Sequence, residues 1–133
     1  ENAKWLTRLD IIQACTELSY AKALSENADG KVRIHAAIDT GMTRIGLHGE
    51  TDKIYGELKE ISKLENIALE GIFTHYAVAD SLREQDEKYT RRRYLPLLTS
   101  AKQRDFTLTR CIFSTQPAEY TIIMREALLQ GLE

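Results

Sequence analysis

The stretch Lys31–Gly46, KVRIHAAIDTGMTRIG, decides how the rest of the chain is read. Lys31–Asp39 carries Val32, Ile34 and Ile38 among alanines and reads as a strand. The strand stops abruptly at Thr40-Gly41, a turn composition. Thr51 then stands as a cap for a helix whose Ile54, Leu58, Ile61 and Leu64 recur at steps of three and four. Ile67–His75, IALEGIFTH, is the next strand.

The same alternation extends outward in both directions. Upstream, Asn2–Thr7 reads as a short helical end and Asp10–Cys15 as a strand. Thr16 is placed to cap a helix with Leu18, Ala21, Leu24 and Ala28 on one face, which Asp29-Gly30 ends. Downstream, residues 81–104 read as a long polar helix with Tyr94, Leu98 and Ala101 on its apolar face, kinked or divided at Pro96. Phe106–Phe113 returns to strand, and Tyr120–Met124 reads as a last one. Strands joined by helices of this length are parallel neighbours with right-handed crossovers. The order predicts an α/β fold, either an open sheet or part of a (β/α)8 TIM barrel. A whole barrel needs about 250 residues, and this chain has 133.

Composition narrows the functions available. A net charge of −2 gives no bulk attraction to nucleic acid. No apolar run approaches the ~20 residues of a spanning helix, and the N-terminus does not read as a signal peptide. Cys15 and Cys111 lie in strand-like runs and read as buried free thiols of a cytoplasmic segment. The Arg91–Arg93 run reads as a solvated helix face, balanced by Glu84, Asp86 and Glu87. There is no Walker loop, GxGxxG, HExxH or CxxC.

In α/β folds, chemistry gathers at the carboxyl ends of strands. Those positions here hold Asp39, Thr40, Gly41, Met42 and Arg44, then Thr74, His75 and Asp80, then Ser114, Thr115 and Gln116, then Arg125. Two arginines, a histidine, hydroxyls and backbone amides suit a phosphate and a carboxylate.

IDTGMTRIG (Ile38–Gly46) resembles the signature of the alanine racemase family, and LEGIFTHYAVAD (Leu69–Asp80) resembles that family's second signature, in order and at a suitable spacing. VADSL (Val78–Leu82) leans toward its serine/alanine racemases. The resemblance implies the central part of a pyridoxal-phosphate-binding barrel domain over residues 1–133. It also implies a homodimeric parent that interconverts L- and D-alanine or serine for cell-wall synthesis. Carried over by position, Arg44 would contact cofactor and substrate carboxylate. His75 would lie under the cofactor ring, Ser114 and Thr115 would meet its phosphate, and Arg125 would face the ring nitrogen.

Departures from the family pattern accompany the match. The family's carbamate-bearing lysine, two residues before the motif aspartate, is Ala37 here. Arg110–Thr115, RCIFST, keeps only the tail of the phosphate strand, and Arg125-Glu126-Ala127 lacks the following glycine. The Lys-Ala-Asn-Ala-Tyr-like motif that carries the cofactor lysine is not in the chain, nor is the tyrosine base of the family's C-terminal domain. The expectation is therefore an isolated chain with no catalytic residue and no turnover. It is a cytoplasmic segment, whether or not a parent carries a membrane anchor, with a small amino acid as partner and a second copy of itself. A second reading is a non-catalytic half-barrel that self-associates to cover its edges. A third is a different pyridoxal-phosphate barrel or a small unrelated α/β enzyme, in which Gly41 only turns the chain and Arg44 makes an ordinary ion pair.

Overall fold

A computed structural model describes residues 2–78, 83–86, 88–89, 92, 110–114 and 122–123. Residues 2, 110–114 and 122–123 are described by backbone only. The elements are α1 (Asn2–Arg8), β1 (Gln13–Cys15), α2 (Leu18–Asn27), β2 (Val32–Ile38), α3 (Thr51–Ser62), β3 (Ile67–His75), β4 (Arg110–Ser114) and β5 (Ile122–Ile123). They form one sheet in the order β1-β2-β3-β4-β5. The first three pairings are parallel. An order that follows the chain without reversal is that of a barrel arc, not of a doubly wound sheet with its switch point.

The helices owe their positions to one stripe each. In α3, Ile54, Tyr55, Leu58 and Ile61 are buried; in α2, Ala21, Leu24 and Ser25 are. All of these but Ser25 share a core with Val32, Ile34, Ala36 and Ile38 from one face of β2 and with Ile67 and Ile72 of β3. Asn66 locks the two helical connections together, donating its amide N–H to Ser25 Oγ at 3.2 Å and its side-chain amide to Ser25 O at 3.0 Å.

The other face of β2 carries Arg33, His35 and Ala37, the positions that face a barrel's interior. At its N-terminal end Arg33 is clamped by Glu70 (Nε–Oε1 2.6 Å, Nη2–Oε2 3.0 Å) and by both oxygens of Asp10 at 2.9 Å. The Glu70 and Asp10 hydrogen bonds push the guanidinium's pKa up, so it stays charged at any ordinary pH. Asp10 holds the left-handed conformation (φ 52°), which cuts the predicted strand Asp10–Cys15 to Gln13–Cys15.

Other predictions shift in detail. Neither Thr16 nor Thr51 is the cap. Glu17 and Glu50 occupy those positions in extended conformation and make no side-chain capping bond. Glu84–Asp86, Lys88, Tyr89 and Arg92 are helical, in keeping with the predicted long helix; its remainder lies outside the described residues.

The expectation of parallel strands throughout fails at the end. β5 pairs antiparallel to β4, Ile112 with Ile123 and Phe113 with Ile122. Only residues 115–121 separate the two strands. A parallel crossover needs a dozen or more residues, whereas an antiparallel return does not.

Candidate active site

The loop after β2 is built from its own motif. Asp39 Oδ1 accepts the amides of Gly41 at 2.8 Å and Thr43 at 3.0 Å, an Asx-type turn. That turn holds Gly41 at φ 125° and Thr43 at φ 55°. Asp39 Oδ1 and these amides are thus bonded within the loop. The loop closes where Leu47 N donates to Ala37 O and Asp39 N donates to Leu47 O, both at 2.9 Å. Gly46 makes the closure possible. It holds φ +115°, and a Cβ there would lie 2.8 Å from Asp39 N and 3.0 Å from Ala37 O. The last glycine of IDTGMTRIG is therefore a close-approach residue, and Arg44 is presented on the exposed crest between fixed ends.

A β-bulge aims the next residue. The β2–β3 register runs Ile34↔Leu69, then His35↔Gly71, so Glu70 is the extra residue. Before the bulge Ile67 and Leu69 share the helix-facing side; after it Ile72 and Thr74 do. Phe73 and His75 are thereby moved to the interior face, with Ala37. An isolated glycine inside a strand pattern, Gly71, was the sequence signal for this bulge.

Arg44 and His75 consequently line one pit with Ala37, Asp39, Met42 and Phe73. Its volume is about 20 Å³, room for about one water, and the pit with the strand ends around it forms a small shelf. Among the described residues Arg44 makes no ion pair, which leaves its planar donors available. Ser114 is the register partner of His75 on β4, which brings the third predicted residue to the same strand ends. Thr115 and Arg125 lie outside the described residues. On the loop's far side Arg44, His48 and Arg92 line a larger cleft of about 660 Å³ over the start of α3. Arg92 is helical and exposed, as the solvated-face reading expects, and also borders this cleft.

The alanine racemase N-terminal domain family matches residues 1–113. The chain belongs to that family.

Alanine racemase 2 of Caldanaerobacter subterraneus subsp. tengcongensis is 40% identical over 106 residues, 75% of this chain and 26% of that protein. Alanine racemase 1 of Clostridium acetobutylicum is 41% identical over 88 residues, 64% of this chain and 22% of that one. The structure of an alanine racemase from Clostridium difficile 630 superposes with a TM-score of 0.67 at 30% identity, covering 76% of this chain and 28% of that chain. The chain spans about a quarter of the length of the relatives it matches. As a member of the alanine racemase N-terminal domain family it is part of a TIM barrel, in agreement with the sheet order. No helix among the described residues is long and apolar enough to cross a membrane.

The donor set fits the family's cofactor in kind. A guanidinium that makes no ion pair among the described residues and an imidazole adjoin at the carboxyl ends of β2 and β3, and the backbone register of β4 brings Ser114 to the same edge. At the family's carbamate position, the Ala37 methyl group lines the pit and offers Arg44 no support.

Proposed function

We propose that this chain supplies the central cofactor- and substrate-facing wall of a pyridoxal-phosphate-dependent amino-acid racemase acting on alanine or serine. The observation that supports this most is the convergence of Arg44 and His75 on one shelf, with Ser114 beside them in the sheet register. Pyridoxal phosphate, when bound, supplies an electron-withdrawing ring that acidifies the Cα–H of an amino acid. Arg44 would hold a carboxylate through its planar pair of N–H donors. His75, on the interior face of β3, would pack beneath the ring. Ser114, with Thr115 and the amides that follow β4, would meet the phosphate, and Arg125 would face the ring nitrogen. The closed loop supports a fixed position for Arg44.

Racemisation needs a base on each face of the Cα. The lysine and tyrosine that serve in the family have no counterpart in these 133 residues. The same reading makes the segment cytoplasmic, with a small amino acid as ligand and a second copy as partner. We expect the chain alone to bind pyridoxal phosphate weakly and to produce no D-isomer from L-alanine or L-serine. Chiral chromatography after incubation with the cofactor is the check. Sustained D-isomer formation would refute the view that the proton-moving groups lie elsewhere. Absence of cofactor binding by equilibrium dialysis would refute the shelf as its site.

A further inference from the structure

We propose that Thr40 and Thr74 form a positioning clasp that sets the Arg44 loop against the strand carrying His75. Thr74 Oγ1 donates to Ile38 O at 2.7 Å, and it stands 2.8 Å from Thr40 Oγ1. Thr74 has a single hydroxyl proton and spends it on Ile38 O, so Thr40 is the donor in the second bond. The direction is thus Thr40 to Thr74 to the end of β2. Both residues are buried, at 5% and 2% exposure. A buried hydroxyl pair in a water-excluded place is costly to leave unmade.

The position of the clasp gives it its role. The bonds of Asp39 and Leu47 tie the loop to itself and to its own strand. The Thr40–Thr74 bond is the tie among these that reaches β3. Thr74 immediately precedes His75, and after the bulge the two point to opposite faces of the strand. Thr40 begins the segment whose crest is Arg44. One hydrogen bond therefore couples the placement of Arg44 and His75, and Thr74 itself borders the pit that they line. Neither threonine has a ligand-binding role in the reading above. The functional weight of the clasp rests on that reading of Arg44 and His75; its existence does not.

The test is site-resolved hydrogen exchange and NMR on the complete chain. Thr40→Val removes the loop's bond and leaves Thr74 on Ile38 O. Exchange at the Gly41 and Thr43 amides should rise about fivefold, the fold-change of one neutral hydrogen bond, and the ring resonances of His75 should shift. Ile34, Ala36 and Ile72 should exchange as before, and Thr40→Ser should restore the unsubstituted pattern. Thr74→Val removes both bonds and should loosen the same amides more; if it does not fold, Thr40→Val decides alone. Exchange that is unchanged, or that rises equally in the core amides, would overturn the clasp. Pyridoxal phosphate binding, measured in parallel, reports on the functional reading separately. A clasp that behaves as described in a chain that binds no cofactor would sink that reading and leave this one standing.

Discussion

At the scale of single residues, two side-chain positions carry clear consequences. Gly46 is pressed against the backbone of β2 at positive φ, so Gly46→Ala combines a collision with a strained conformation. The conformation alone costs about 1–3 kcal/mol. The urea midpoint should fall accordingly, and an unchanged midpoint would show that the loop has another way to close. Cys15 is buried, and its Sγ donates to Glu17 O at 3.4 Å. Burial pushes its thiol pKa up from the ordinary 9.0. In a Cys111→Ser background, Cys15 should react with a thiol reagent only on unfolding. Because the folded pKa is the higher one, the unfolded chain loses this proton first as pH rises. The stability associated with the neutral thiol is complete below pH 9 and declines above it. The advantage of the native chain over Cys15→Ala, compared by denaturation at pH 7 and pH 10, should shrink at the higher pH. Cys111 was read as a second buried thiol, and its side chain lies outside the described residues.

At the scale of elements, burial separates what holds the arc together from what decorates it. Leu58, 1% exposed, lies on the buried stripe of α3. Leu58→Ala should cost about 3 kcal/mol, the range for truncating a packed leucine. The exposed Lys22–Glu60 pair joins α2 to α3 at 3.3 Å. Lys22→Ala should cost less than about 1 kcal/mol. Chemical denaturation of both variants checks the contrast, and equal losses would contradict it. The helix stripes were legible because each repeats at three and four residues. The helix starts were not, because Thr16 and Thr51 have good capping chemistry while the backbone places Glu17 and Glu50 at the N-cap.

At the scale of the whole molecule, the edges of the sheet matter. Among the described residues β1 and β5 are the outermost strands. Open edges invite pairing with another copy, so the chain should sediment as a dimer or larger at micromolar concentration. A monomer across that range would count against the self-association expected of it.

The sequence by itself determined the succession of strands and helices, the parallel core of the sheet and the family. Those features are local: apolar periods, and the fixed spacing of IDTGMTRIG and LEGIFTHYAVAD. It also nominated Arg44, His75 and Ser114, because residues at strand ends can be found by counting. The tertiary structure alone decided which way Arg44 and His75 face. A bulge of one residue at Glu70 inverts the side-chain alternation of β3 and puts His75 with Ala37 and Arg44. It alone showed Asp39 committed to the loop's amides and Thr40 bonded to Thr74. Register and cross-strand hydrogen bonds join residues more than thirty positions apart. No local pattern encodes such a pairing, because it exists only once two strands lie side by side.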